Sequence, residues 1–441
     1  MEYKFTNFCI NSPLAYDRDD LLIYYNTLYR SLIILPKKIH RYIVEKQYNR
    51  IDQQNFEKLI QGFFLIPEFV DEKKSSIEVF ARQAYDMSVV DISILTTYDC
   101  NFNCWYCNQK GLSNEIYNLY LNSETSKHIL QWIINLDKKY TPRDVVIGFF
   151  GGEPTLNFDS ILFLAEQLKF KLHNKVKFWM TTNGFLLEPA ISKQLCDMGV
   201  TYYQITIDGP QLIHDKRRVQ KNGGPTFEKI LSNVEFLCKE LNAGVTISIN
   251  IDQENASHLN ELLTVLESRS IKNLIKLNIA GLIPTRNKKI RDKIITEKPI
   301  SNSDLIAHAT LKGFHLLEVF DDGLCPYNSK HTFVIDPLGD FYKCVASVGD
   351  PKFKSGSVMN APLDKFLYMN HAGNVPWLKN EAANCTNCSF LPLCWGGCRN
   401  QANLQQGSVD AIQCRKEIFL QNTPDYLRSL VVRKRFSNIH F

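Results

Sequence analysis

From about residue 88, short apolar runs alternate with amphipathic segments six times, and this rhythm leaves the chain few architectures. The runs cover residues 91–97, 145–150, 176–182, 201–207, 245–251 and 275–279. Each is bounded by Gly, Asn or Asp, as strands of a buried parallel sheet are. Between them, Ile129, Trp132, Ile133 and Leu136 fall at i, i+3, i+4 and i+7 behind the N-cap residues Asn122 and Ser123. Ile161, Leu164, Ala165 and Leu168 repeat the spacing, and Gly199 stops the helical stretch at 192–198. Six consecutive β/α units predict one parallel sheet, open-wound or curled into a partial barrel, with its chemistry at the C-terminal strand ends.

The flanks do not follow this rhythm. In residues 1–87, the runs 21–25 and 32–35 predict a hairpin, followed by helices over 39–47 and 55–62. This is a small α/β appendage. After about residue 300 cysteines crowd in and mark a third region, so the expected division is 1–87, 88–300 and 301–441. A length of 441 residues accommodates two to three domains. A net charge of +5 without a concentrated basic tract gives no footprint for nucleic acid. The first residues carry no secretory signal pattern, and the apolar stretch 21–36 is broken by Asn26, Thr27, Arg30 and Ser31, so neither export nor a membrane span is expected. Thirteen cysteines, an odd number at CxxC-like spacings, point to metal or cluster ligation in a reducing cytoplasm rather than to disulfides.

Directly after the first strand stand Cys100, Cys104 and Cys107, separated by three and then two residues. Three thiolates on one loop hold three irons of a cubane and leave the fourth iron open. A structural zinc is the alternative, but it needs a fourth ligand, and the nearest histidine, His128, lies outside the loop.

This CxxxCxxC loop, with Tyr106 before its last cysteine, resembles the signature of the radical S-adenosylmethionine (SAM) superfamily. Gly151-Gly152-Glu153-Pro154 after the second strand is similar to that family's GGE motif, which binds the SAM amino group. The glycines permit close backbone approach, and Glu153 is a carboxylate able to accept from an ammonium. The resemblance implies a partial (β/α)6 TIM-like barrel and assigns Tyr106, Gly151, Gly152, Glu153, Thr206, Asp208 and Ser248 to the SAM site. It also implies a [4Fe–4S] cluster whose open iron is chelated by the amino and carboxylate groups of SAM, so that one electron breaks the sulfonium bond. The segment from His214 and Asp215 to Arg218 resembles a loop of peptide-modifying members.

The last third carries Cys325, Cys344, Cys385, Cys388, Cys394, Cys398 and Cys414. Their spacing resembles the SPASM domain, the seven-cysteine extension that holds two auxiliary [4Fe–4S] clusters. A zinc ribbon over 385–398 would leave Cys325, Cys344 and Cys414 unexplained. By resemblance Cys385, Cys388, Cys394 and Cys414 hold one auxiliary cluster, while Cys325, Cys344 and Cys398 hold the other. Some relatives add a cysteine soon after the first of these. Here residues 326–331 contain none, so an open iron or ligation by His331 is expected. Cys196 and Cys238 read as packing groups, and Cys9 has no partner in the pattern.

Three clusters imply net oxidation of a ribosomally made precursor peptide, with SAM as radical source and a low-potential donor such as flavodoxin or ferredoxin. The expected product is an intramolecular cross-link: carbon–carbon, ether or thioether. In sulfatase-maturing relatives an Asp serving as base follows the cysteine matching Cys344. Here Val345 takes that place, which disfavours the sulfatase-maturase reading. A small-molecule radical SAM enzyme is a further alternative, whereas an electron carrier would need neither GGEP nor an open triad. Asp208, His214, Asp215 and His331 are the candidate proton acceptors. The appendage is expected to be either a leader-peptide recognition module or a packing extension of the barrel.

Overall fold

The structure, a computed structural model, describes residues 2–15, 18–296, 303–317, 324–360, 375–379 and 384–436. The domain boundary expected near residue 300 lies outside them. Among the described residues the first elements are β1 (Tyr3–Phe5), β2 (Cys9–Ala15), β3 (Arg18–Asn26), β4 (Leu32–Pro36) and β5 (Leu65–Pro67). β2, β3 and β4 form an antiparallel sheet, and β1 pairs with β5. The expected hairpin is β3–β4, in register from Leu21 opposite Pro36 to Tyr25 opposite Leu32. β2 was not legible as a strand, because polar Ser12 at a buried position and Pro13 at an exposed one hide the alternation. Helices Lys37–Val44, Gln53–Gln61 and Glu72–Tyr85 complete the region. Asp52 and Asp71 cap the last two by accepting from the amides of Asn55 and Lys74.

The six expected strands are β6 (Val89–Leu95), β7 (Asp144–Phe150), β8 (Val176–Thr182), β9 (Val200–Thr206), β10 (Gly244–Ile251) and β11 (Ile275–Gly281). They pair in parallel in sequence order. Beyond β11 lies β12 (His315–Leu316). On the other edge β6 is joined by β13 (Thr332–Ile335), then β14 (Asp340–Tyr342) and β15 (Gly356–Ser357). β6 therefore meets β13 rather than β11, and the sheet remains an open partial barrel. The cysteine-rich region is built onto the barrel's first strand, with Thr332 opposite Asp91 and Ile335 opposite Ile94.

One face of these strands is apolar and covered by helices. Val90, Ile92, Ile94, Ile147 and Phe149 are buried with Ile129, Trp132, Ile133 and Leu136 of the helix Ser123–Tyr140. Each fully buried aliphatic side chain contributes about 1.5–3 kcal/mol. Asn122 caps that helix from the Thr125 amide, as expected. The opposite face is polar: Gln204 and Asn278 both donate to the Ser248 hydroxyl, at 2.9 and 3.4 Å. That polarity was invisible in the apolar runs and gives the sheet a concave surface that hydrogen-bonds.

The helix Lys416–Phe436 returns to the opposite end of the chain and packs on β2. Tyr426 meets Tyr25 edge-on at 6.1 Å, and Phe419 stacks on Phe390 at 5.4 Å. Among the described residues no helix is long and apolar enough to cross a membrane.

Candidate cluster and cofactor site

The loop bearing Cys100, Cys104 and Cys107 leaves the C-terminal end of β6 and is clamped on two sides. On one side the Gly152 amide donates to the Thr97 carbonyl and the Glu153 amide to that of Asp99, at 2.9 and 2.8 Å. A Cβ on Gly151 would lie 2.5 Å from the Thr97 oxygen, and one on Gly152 only 2.1 Å from that of Asp99. Only glycine lets these backbones approach so closely. On the other side a strap after the helix Gln211–Arg217 pairs with the loop, the Asn103 amide donating to Val219 and the Lys221 amide to Asn101. Asn183, at the end of β8, donates to the Asn101 side chain at 2.7 Å and lies 3.9 Å from the Cys100 sulfur. The strap was not singled out in the sequence, since its contacts join distant segments.

Burial pushes the Cys100 thiol up to about 12, with Glu153 reinforcing it. Cys104 is raised by burial too, against the pull of Arg218. Cys100 and Cys104 so placed become thiolates only beside strong positive charge, which iron supplies. Among the described residues no three His, Cys, Asp or Glu side chains converge on one ion-sized point; thiolates that take separate irons of a cubane need no such convergence.

Tyr106 ties this loop to the strand tips. Its hydroxyl donates to Asp208 and accepts from Arg218 at 2.7 Å. Asp208 also accepts from the Asn250 amide at 2.9 Å, and Arg217 spans from Asp208 at 3.8 Å to Asp252 at 2.8 Å. The knot is buried, and burial holds the Tyr106 phenol well above its ordinary range. The structure thus brings together Tyr106, Gly151, Gly152 and Asp208, while Thr206 and Ser248 occupy matched positions on β9 and β10.

Three expected roles meet a different geometry. Glu153 was expected to present its carboxylate to an ammonium, but it is fully buried and turned inward. It accepts from Thr155, Thr182 and the Asn183 amide, tying the end of β7 to that of β8. His214 is also fully buried; its Nδ1 accepts from the Asp208 amide at 3.2 Å, and burial beside Arg218 and Arg217 drives its pKa far below the ordinary value. The Asp215 carboxylate caps the helix Phe227–Lys239, accepting from the Thr226 and Phe227 amides at 2.8 and 2.9 Å. All three side chains hold the scaffold around the site.

The downstream cysteines form two settings. Cys325, Cys344 and Cys398 surround buried Tyr327, whose phenol is raised by burial and further by these three. Burial pushes Cys344 up to about 12. Asn108, next to Cys107, donates to the Ala346 carbonyl at 3.3 Å, so this set lies against the first cysteine loop. His331 stands at the start of β13, where its carbonyl accepts from the Asp91 amide. Its ring is half-buried near Lys343 and Asp86, and burial lowers its pKa.

The other set, Cys385, Cys388, Cys394 and Cys414, lines a single cavity of about 130 Å³ together with Phe390, Leu391 and Phe419. Gly397 makes that gathering possible. At φ +84° it has no room for a Cβ, which would fall 1.9 Å from the Gln413 carbonyl beside Cys414. A cavity walled by four thiols fits a fully cysteinyl cluster. Of the remaining cysteines, Cys238 is buried in its helix, Cys196 lies 3.7 Å from the Tyr203 hydroxyl, and Cys9 sits on β2 against the Tyr24 core.

Residues 94–266 match the family described as the Radical SAM superfamily. The chain is 21% identical over 411 residues to the radical SAM cyclopropyl synthase TigE of Paramaledivibacter caminithermalis, covering 87% of this chain and 85% of that protein. It is 25% identical over 353 residues to the cysteine-type anaerobic sulfatase-maturating enzyme of Clostridium novyi, covering 74% and 92%. The structure of Streptococcus suis SuiB bound to precursor peptide SuiA superposes with a TM-score of 0.55 at 14% identity, over 94% of this chain and 99% of that one. Residues 94–266 are thus a radical SAM domain, and the cysteine-rich region that follows it is SPASM-like. A [4Fe–4S] cluster and SAM are the cofactors this superfamily implies.

Proposed function

We propose that this enzyme is a peptide maturase that installs an intramolecular cross-link in a ribosomally made precursor, using three [4Fe–4S] clusters. In this reading Cys100, Cys104 and Cys107 hold the SAM-binding cluster, Cys325, Cys344 and Cys398 a first auxiliary cluster, and Cys385, Cys388, Cys394 and Cys414 a second. When bound, the first cluster and SAM supply the 5′-deoxyadenosyl radical that removes a substrate hydrogen. The observation that carries the reading is the Asn108–Ala346 hydrogen bond. It sets a cysteine site beside the radical-forming loop, where an electron left on an oxidised peptide has a short way to go.

The chain's own residues do the positioning. Gly151 and Gly152 fix the cysteine loop at the strand ends, and Tyr106 with Asp208 and Arg218 closes the floor beside it. Gln204, Ser248 and Asn278 line the concave face on which a peptide segment would lie. Val345 supplies no carboxylate after Cys344, so the site lacks the base of the sulfatase-maturase reading.

Residues 1–87 serve as the leader-recognition module. Beside β1, which pairs on one edge with β5 among the described residues, lies a cavity of about 960 Å³ lined by Tyr3, Lys4, Tyr24, His40, Tyr48 and Phe56. An added peptide strand suits such an edge. Deleting the module would strip Tyr25 from Tyr426, so Lys4→Glu and Tyr48→Ala are the better probes, and unchanged precursor affinity in both would remove the leader role.

The deciding experiment is anaerobic reconstitution with iron, sulfide, SAM, a low-potential donor and a short precursor peptide. The expected products are 5′-deoxyadenosine and a peptide lighter by two hydrogens per link. A reaction that yields 5′-deoxyadenosine but leaves every offered peptide unchanged while consuming a small molecule would favour the small-molecule reading.

A further inference from the structure

The two downstream cysteine sets sit among cations of different burial. Around Cys325, Cys344 and Cys398 stand three cations. Lys343 is buried, and among the described residues its ammonium donates to the main-chain carbonyls of Ser329 and Thr332, both at 2.7 Å. Half-buried Arg286 donates to the carbonyls of Val348 and Ala346 at 2.8 and 2.6 Å. Neither has a carboxylate within ion-pair distance among the described residues. Buried Arg399 is the third, shared between Asn328 and Asp410.

A buried cation without a carboxylate is costly unless another anion compensates it. In the three-cluster reading the compensating anions are the cluster-bound thiolates: Lys343 adjoins Cys344 in the chain, and Arg286 donates to the Ala346 carbonyl two residues beyond it. Around Cys385, Cys388, Cys394 and Cys414 the neighbouring cations are Arg415 and Lys416, both exposed, and Arg415 lies over the Phe419 ring at 5.3 Å. Water screens those charges, while charges in the protein interior act at lower effective dielectric.

We infer that Arg286 and Lys343 form a cationic cradle that favours the reduced state of the cluster held by Cys325, Cys344 and Cys398, making it the more readily reduced of the two auxiliary clusters. The inference rests on the three-cluster reading above. Reduction adds one electron, hence one negative charge, and the cradle stabilises that charge without taking up the electron itself. Arg286 shares the Ala346 carbonyl with Asn108, so the cradle faces the radical-forming loop. The electron leaving an oxidised peptide is thereby drawn to the nearer cluster. Arg286 and Lys343 are positioning residues: they act through the cluster.

The test uses the full reconstituted chain with Cys100, Cys104 and Cys107 changed to Ala, which leaves the two auxiliary clusters. Iron and sulfide are counted, and midpoint potentials are read by EPR-monitored titration. In Arg286→Gln and in Lys343→Gln, one auxiliary signal is expected to become at least tenfold harder to reduce, a drop of about 59 mV for a one-electron couple. The other signal should stay put, and Arg415→Gln should move neither. Arg286→Lys and Lys343→Arg keep the charge while altering the same hydrogen bonds, and they should hold the parent potential. Iron for two clusters with unmoved midpoints in both Gln variants overturns the cradle alone. An equal fall in the charge-retaining variants overturns it as well. Iron for a single cluster overturns the three-cluster assignment and the cradle with it.

Discussion

The three-thiol and four-thiol sets share one C-terminal region yet are held in different ways. Cys325, Cys344 and Cys398 are reached by a strand pair that continues the barrel sheet, and cations approach them from the Arg286 loop and from β14's exit. Cys385, Cys388, Cys394 and Cys414 are wrapped instead by rings and by the N-terminal region. Phe390 and Phe419 stack beside them, the Thr27 hydroxyl donates to the Ser389 carbonyl at 2.6 Å, and Arg30 donates to that of Pro392 at 3.1 Å. The contrast teaches that thiol number alone does not define a site's duty. One set lies against the first cysteine loop among cations, while the other is a joint between two distant parts of the chain.

Substitutions can break this contrast. The largest effect is expected from Cys344→Ala in the reconstituted enzyme. Peptide product should vanish while 5′-deoxyadenosine still forms, because the first loop is intact; equal loss of both would show that the two sites are not separable. Next comes Gly397→Ala, whose Cβ would fall 1.9 Å from the Gln413 carbonyl. It should cost roughly 3 kcal/mol and the iron of the four-thiol set, read by thermal melting and iron analysis.

Tyr426→Ala removes the ring against Tyr25 and should loosen the N-terminal sheet by about 3 kcal/mol, seen as faster amide exchange in β2 and β3 with the barrel unchanged. Uniform exchange throughout the chain would argue against a local joint. The smallest effect belongs to the β6–β13 seam. There burial raises the Asp91 carboxyl to about 6, and its Oδ1 has no hydrogen-bond partner among the described residues. A folded pKa raised above the unfolded value means that the folded state holds the extra proton, so stability falls as pH rises from about 4 to about 6 and stays lowered above. Asp91→Asn should therefore stabilise the protein by about 2 kcal/mol at pH 8 and by little at pH 4. Equal melting shifts at both pH values would exclude the ionisation as cause.

Strand periodicity made the barrel readable from sequence, because apolar alternation and helix caps are local. Asn122 caps and Gly199 stops where the pattern says they should. Cysteine spacing revealed the loops that bear thiols. What stayed hidden was each contact made across the fold. The inward turn of Glu153 depends on Thr182 and Asn183 from the next strand, and the cap made by Asp215 depends on a helix eleven residues further on. Buried cations were also unreadable. Lys343 looks like any lysine until β13 and β14 close around it and its ammonium donates to the Ser329 and Thr332 carbonyls.

The seating of the Lys416–Phe436 helix on β2 has a consequence for the order of events during synthesis. Ile10, Ile23 and Tyr25 leave the ribosome early, yet Tyr426, Leu427 and Val431, which cover them, emerge on the order of 400 residues later. At about 5–20 residues per second that is a wait of roughly 20–80 seconds with an apolar sheet face uncovered. During that interval the nascent chain has reason to engage a chaperone, and this sheet is made long before it reaches its final packing.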